Sequence, residues 1–62
     1  MIMPKFEVMY KVYDDETRRT YTGPSDYTVV VEAMHQGAAQ QMVQNMNGGE
    51  RCQIIRAMHV GG

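Results

Sequence analysis

The chain has 62 residues, of which 44% are hydrophobic and 21% charged, and its formal net charge is −1. A chain of this length forms one domain, here residues 1–62, and six basic against seven acidic residues leave no basic excess to neutralise a phosphate backbone. Nucleic acid is therefore a disfavoured partner, and no apolar run is long enough for a membrane span.

The usual covalent and metal supports of small domains are missing from the sequence. Cys52 is the single cysteine and cannot form an internal disulfide. Together with His35 and His59 it does not make a structural zinc set, so we predict no metal and no cofactor. A lone thiol fits a reducing compartment, and residues 1–6 lack the apolar stretch of a secretory signal, so we expect a cytoplasmic protein.

Residues 5–13 alternate between two sets of side chains, as a half-buried strand does. The apolar set consists of Phe6, Val8, Tyr10 and Val12. The opposite set consists of Lys5, Glu7, Met9, Lys11 and Tyr13. A polar turn is predicted at 14–17, where two Asp side chains can accept hydrogen bonds from nearby backbone.

The segment after this turn has two interpretations. Residues 18–22 have moderate strand propensity and could return as the second arm of a hairpin. Residues 23–26, Gly-Pro-Ser-Asp, are either a true turn or a kink within one long strand. The sheet therefore has three or four strands.

Residues 27–33 form the clearest strand, and the period changes directly after it. The predicted inward set is Tyr27, Val29, Val31 and Ala33, and the outward set is Thr28, Val30 and Glu32. From residue 35 to residue 47 the apolar side chains recur at helical spacing, with Gln and Asn on the other face. This predicts an amphipathic helix that ends at Gly48-Gly49, where glycine can adopt the left-handed cap.

Methionine is unusually frequent, with seven residues in the chain. Met fills irregular gaps in cores and also lines adaptable binding surfaces. We place Met42 and Met46 in the core under the helix and Met9 on a candidate interface.

The last strand, residues 52–60, can face the helix in two ways. One alternation turns Cys52, Ile54, Met58 and Val60 inward and takes Arg56 with them. The other turns Ile55 and Ala57 inward and leaves Arg56 on the opposite face. A small residue such as Ala57 beneath a helix favours the second.

The predicted fold is a small two-layer α+β domain of ββαβ or βββαβ order, with one helix on an antiparallel sheet. A right-handed crossover over the first strand gives sheet order 2-1-3. One helix covers one face of the sheet, which leaves the other face without a second layer. The candidate partner-binding residues on this face and in the charged turn are Arg56, Met9, Tyr13, Val30, Arg18 and Arg19.

No catalytic constellation stands out. His35, Cys52 and His59 lack a third orienting group and an oxyanion donor, so we predict no catalytic residue and no enzyme. Arg and Tyr side chains on an open sheet are compatible with a single-strand nucleic-acid platform, although the neighbouring acidic residues disfavour it.

One stretch of the chain, residues 27–60, resembles a known family. The motifs that carry the resemblance are Val-Val-Val-Glu-Ala, a helix with Ala38-Ala39, Gly48-Gly49 and Ile54-Ile55-Arg56. In this order they resemble the small host RNA-polymerase inhibitors of T7-like phages. The resemblance implies one helix on a three-stranded antiparallel sheet, binding to bacterial RNA polymerase with a block of transcription initiation, and a polymerase contact at Arg56. The chain departs from the family in its insertion-like segment 18–26, its lack of Trp, and Met58 in place of a second arginine.

The sequence thus predicts a non-enzymatic, phage-encoded protein that binds and modulates a host macromolecule, RNA polymerase by resemblance, through its open sheet face. Two alternatives remain: a structural or self-assembling protein whose open face makes a homodimer, and a single-stranded nucleic-acid binder.

Overall fold

The computed structural model of the protein describes residues 2–23 and 26–61. These residues form an α+β domain with three strands and one helix. The elements in chain order are β1 (Lys5–Val12), β2 (Tyr27–Glu32), α1 (Gln36–Met46), a short 3-10 turn (Gly49–Arg51) and β3 (Cys52–Gly61).

The strands form one antiparallel sheet in the order β2-β1-β3, which confirms the predicted topology. Helix α1 packs on one face of this sheet. The Cα atoms extend 40 × 17 × 13 Å, the dimensions of a thin slab. Two layers account for that thickness, so the described residues place no second layer on the far face of the sheet.

A fourth strand is absent from the described residues. The loop after β1 is held by its own polar groups: the Asp14 N–H donates to the carbonyl of Thr20 at 2.9 Å. The Asp14 carboxylate accepts from the N–H and hydroxyl of Thr22, and the Asp15 carboxylate accepts from both donors of Thr17. The predicted Asp turn is therefore confirmed. Pro24 and Ser25, on which the choice between turn and kink depended, lie outside the described residues.

The core is small and lies between α1 and the sheet. Val8, at the centre of β1, and Ala39 of α1 are fully buried, and Val43 is nearly so. Because Ala39 carries only a methyl group, the helix can approach the central strand closely. Phe6 and Ala33 complete this cluster of five buried side chains, against which partly buried residues such as Val29 and Ile54 pack.

Polar side-chain and backbone signals set both ends of α1. The Nδ1 atom of His35 accepts a hydrogen bond from the N–H of Ala38 at 3.1 Å, so His35 is the N-cap. At the other end Gly48 adopts a φ of 103°, as the Gly-Gly stop predicts. The helix boundary thus agrees with the sequence to within one residue at each end.

The facing of β3 agrees with neither predicted alternation over its full length. Cys52 and Ile54 lie opposite Val12 and Tyr10, but Ala57 and His59 lie opposite Val8 and Phe6. The register shifts between Met9 and Tyr10, where Ile55 is the extra residue of a β-bulge. The extra residue reverses which side chains face the helix. Before Ile55, Cys52 and Ile54 face the helix, as the first alternation predicts. After it, Ala57 faces the helix and Arg56 the open face, as the second alternation predicts.

The placement of two methionines under the helix was wrong. Met42 is 40% exposed and Met46 is 70% exposed. The buried residues of α1 are Ala39 and Val43, and Ala38 packs beside them, so the helix buries a narrow stripe. Met42 and Met46 lie on one flank of that stripe.

None of the helices in the described part of the chain is long and apolar enough to cross a bilayer.

Candidate interaction surface

The sheet face that α1 leaves uncovered, here called the open face, is defined by residue pairing across the three strands. Paired residues of an antiparallel sheet project to the same side. From the registers, the open face carries Lys5, Glu7, Met9 and Lys11 of β1, Thr28, Val30 and Glu32 of β2, and Gln53, Arg56 and Met58 of β3. Met9, Val30 and Arg56 therefore lie where the sequence predicted them.

The middle of the open face is an apolar patch with one embedded carboxylate. Glu7 has Val30 on one side and Met58 on the other. Val30 is 53% exposed and Met58 is 44% exposed, so both present apolar surface to solvent. The next row places Arg56 directly beside Met9. The surface thus combines exposed apolar anchors with single charges.

The end of the open face nearest the loop is covered by aromatic rings. Tyr13 follows β1, and its hydroxyl donates to Oε1 of Gln53 at 2.8 Å. The ring of Tyr21 meets the Tyr13 ring edge-on, with centroids 5.9 Å apart. The Lys11 ammonium lies 3.9 Å from the Tyr21 ring centroid, within cation–π range. Tyr13 is therefore part of a fixed corner cluster and is separated from the Met9–Arg56 row.

Arg18, predicted as a partner-binding residue of the charged turn, belongs to neither group. Its Nε donates to the carbonyl of Glu50 at 2.6 Å, and a terminal nitrogen donates to the carbonyl of Cys52 at 3.3 Å. Cys52 lies on the helix side of the sheet. The guanidinium therefore ties the loop to the start of β3. Arg19, the next residue, is exposed in the loop.

Arg18 also has a φ of 58°, in the left-handed region that glycine tolerates best. We expect Arg18→Ala to lower the free energy of unfolding by about 1 kcal/mol, because two hydrogen bonds are lost. Arg18→Gly loses the same bonds but relieves the left-handed conformation, which costs a non-glycine residue roughly 1 kcal/mol. Urea denaturation should therefore rank wild type and Arg18→Gly above Arg18→Ala. An alanine variant as stable as the glycine variant would contradict the backbone assignment.

The thiol and imidazole groups do not form a site. Cys52 is fully buried, and that burial raises the pKa of its thiol, an effect that the positive charge of Arg18 only partly offsets. A buried thiol with a raised pKa is a poor nucleophile at neutral pH. His35 caps α1 and His59 packs edge-on against Phe6 with centroids 5.4 Å apart. Within residues 2–23 and 26–61, no three His, Cys, Asp or Glu side chains are placed as metal ligands.

A shallow groove runs between α1 and the first half of β3. Amide side chains of the helix, among them Gln40 and Gln44, form one wall, and Gln53 and Ile54 form the other. Among the described residues that line it, Arg18, which is already bonded, and Glu50 are charged. The groove wall is therefore formed mainly by hydrogen-bonding amide side chains, and the one thiol in it, that of Cys52, is buried.

Sequence reasoning missed three members of the surface. Met58 was not selected because its facing depends on the bulge at Ile55. Lys11 and Tyr21 were not selected because their contact requires the loop to fold back over β1. Alternation along residues 5–13 already placed Lys11 on the open side, and this was the one available signal.

Comparisons with models of protein families, with curated proteins and with solved structures find no match to this chain.

Proposed function

We propose that this protein is a non-enzymatic binding protein whose open face docks on a partner protein. The single observation that supports it is the apolar patch of Val30, Met58 and Met9, which is uncovered and bordered by Arg56. Exposed apolar groups ringed by polar ones are typical of interaction sites. Arg and Met are also enriched in protein interfaces.

The charges of the open face favour a protein over a nucleic acid. Three cations, Lys5, Lys11 and Arg56, lie beside two carboxylates, Glu7 and Glu32, which offset all but one of their charges. A phosphate backbone requires a row of unopposed cations. The rings of Tyr13 and Tyr21 meet edge-on, so they present no flat platform for stacked bases. A partner protein with an apolar surface and a carboxylate near Arg56 complements this arrangement.

The family resemblance suggests the first partner to test, namely bacterial RNA polymerase in the cytoplasm of a phage-infected host. In that setting the protein would modulate transcription by occupying a surface of the enzyme. Arg56, which the resemblance assigns to polymerase contact, lies on the β3 side of the open face beside Met9.

The experiment is a titration of purified bacterial RNA polymerase with the labelled protein. Arg56→Ala and Met58→Ala each remove an open-face side chain, and the matched control is Arg51→Ala, an exposed arginine of the 3-10 turn that lies beside Asp15, Glu16 and Gly48. We expect each open-face variant to bind about 10-fold more weakly, as interface anchors do, and the control to bind like wild type. A single-stranded oligonucleotide serves as a second probe.

The proposal is overturned if polymerase binding is undetectable, or if Arg51→Ala weakens it as much as Arg56→Ala. Salt-sensitive binding to the oligonucleotide, in place of polymerase, would instead support the nucleic-acid alternative and overturn the protein-partner proposal.

A further inference from the structure

The two edges of the sheet differ in how their backbone groups are satisfied. The N–H of Ala33 donates to the carbonyl of Pro4 at 3.1 Å, which places that residue's backbone toward β1. Backbone groups of successive strand residues point in opposite directions. In β2 the odd-numbered residues therefore pair with β1, and the N–H and C=O groups of Thr28, Val30 and Glu32 point away from the sheet.

The same alternation applies to β3, whose outward groups are protected. Ala57 and Cys52 lie opposite the even-numbered residues Val8 and Val12, so their carbonyls point outward. Gln36 of the helix donates to the Ala57 carbonyl at 2.7 Å, and Arg18 donates to the Cys52 carbonyl. Register shifts at Ile55, inside the strand, and at Val60, near its end, also disrupt this edge. Bulges and covering side chains are the means by which proteins block edge strands.

Edge β2 has none of these protections in the part of the chain that the structure describes. Its register with β1 runs unbroken from Tyr27 to Glu32. Its sequence, Tyr-Thr-Val-Val-Val-Glu, contains no proline and is rich in β-branched residues. All three outward residues are exposed. Such an edge is a template for a further strand.

We propose that a second copy of this chain pairs with β2 in antiparallel fashion, about a two-fold axis through Val30. In this register Val30 lies opposite the partner's Val30, and Thr28 lies opposite the partner's Glu32. Every outward N–H and C=O group of both β2 strands then forms a hydrogen bond with the other copy. Shifting the axis to Val29 would place Asp26 opposite the partner's Glu32, two like charges, and shifting it to Val31 would leave Thr28 outside the ladder.

Side-chain chemistry fits the same register. On the helix side, Val29 lies opposite the partner's Val31, an apolar pair. On the open side, two valines meet at the axis and a threonine faces a carboxylate at each end. No pair within the strands sets two like charges against each other, and like charges directly opposite are destabilising.

The side of α1 that carries the exposed Met42 and Met46 faces the β2 edge, where the second copy would pair. Gln36 reaches β3, and Gln40 and Gln44 line the groove on the β3 side. At 100° per residue, Met42 and Met46 lie on the opposite side of the Ala39–Val43 stripe, toward β2. A second copy at the β2 edge therefore lies on the same side of α1 as the two exposed methionines.

Interface size gives a second reason for the pairing, and this reason rests on the proposed function of the open face. Three strands and eight residues of β1 give an open face of about 14 Å by 26 Å, or roughly 370 Å² in projection, against about 800 Å² per partner in a standard interface. A two-fold axis normal to the sheet puts both helices on one side and joins the open faces into one surface of twice that area. The dimer thus supplies a docking surface of ordinary size.

The test is sedimentation velocity of the full chain from micromolar to millimolar concentration, with two variants at one position. Thr28→Glu sets a second carboxylate against the partner's Glu32 twice per dimer, whereas Thr28→Lys sets an ammonium there. We expect the glutamate variant to dimerise about 10-fold more weakly than wild type and the lysine variant at least as tightly, with the difference shrinking at high salt.

A further variant tests the hydrogen bonds themselves. Val30→Pro removes an outward N–H but no bond to β1, so the monomer should keep its circular dichroism spectrum and lose the dimer. The proposal is overturned if wild type is monomeric at every concentration, or if the two Thr28 variants dimerise equally. A dimer that survives in a folded Val30→Pro protein would also overturn it. Polymerase binding is measured separately, so either proposal can fail alone.

Discussion

Val8→Ala is expected to lower the free energy of unfolding by about 2 kcal/mol, because two buried methyl groups are removed from the centre of the core. Val8 is fully buried beneath α1. A domain of this size has a net stability of only about 3–5 kcal/mol, so this one change should remove roughly half of it. Urea denaturation followed by circular dichroism measures the difference.

The matched control for this prediction is Val60→Ala. Val60 belongs to the same sheet but is 46% exposed, so we expect a change within about 0.5 kcal/mol. If both variants lost the same stability, the packing of β1 against α1 would be wrong.

Gly48→Ala is expected to destabilise the protein by about 1–2 kcal/mol, because a φ of 103° is strained for any residue with a Cβ atom. The added carbon would lie 3.2 Å from the end of the Arg51 side chain, which is flexible and can move aside. The loss of stability therefore comes from backbone strain in the turn that connects α1 to β3.

Gly37→Ala is the control, and we expect it to stabilise the protein, whereas Gly48→Ala destabilises it. Gly37 lies in the first turn of α1, where an added methyl group meets the His35 ring at 3.4 Å, an ordinary contact. Alanine has the higher helix propensity, so we expect a gain of about 0.5 kcal/mol. Thermal unfolding of the two variants should move in opposite directions. A loss at both positions would contradict the helix boundaries.

Local patterns predicted most of the architecture. Alternation in residues 5–13 and 27–33 depends only on neighbours two apart, and it identified both strands and the open-face positions of Met9 and Val30. The end of α1 before Gly48 was predicted from the preference for glycine at the left-handed position that follows a helix, which is also a local signal. The N-cap role of His35 could not be predicted from local pattern, because Ser, Thr, Asp and Asn are the residues that normally cap a helix N-terminus.

The candidate surface was predicted in part, because some of its members depend on contacts between distant segments. Arg18 was placed with the binding residues on charge alone, yet its guanidinium is bonded to backbone 32 residues away, at Glu50. Met42 and Met46 have core-like spacing but lie outside the stripe that the sheet covers. How much of a helix is buried depends on the width of the surface beneath it, and the helical pattern does not contain that information.

By itself the sequence determined the order of strands and helix, the antiparallel topology and the presence of one uncovered sheet face, because these follow from short-range periodicity and from having a single helix. Only the tertiary structure decided which β3 side chains lie on that face, since the bulge at Ile55 exists only through pairing with β1. It likewise decided that side chains protect the β3 edge and that none of the described residues protects the β2 edge in this way. Edge protection depends on where the side chains of Gln36 and Arg18 end, and those positions are set by packing between segments far apart in the chain.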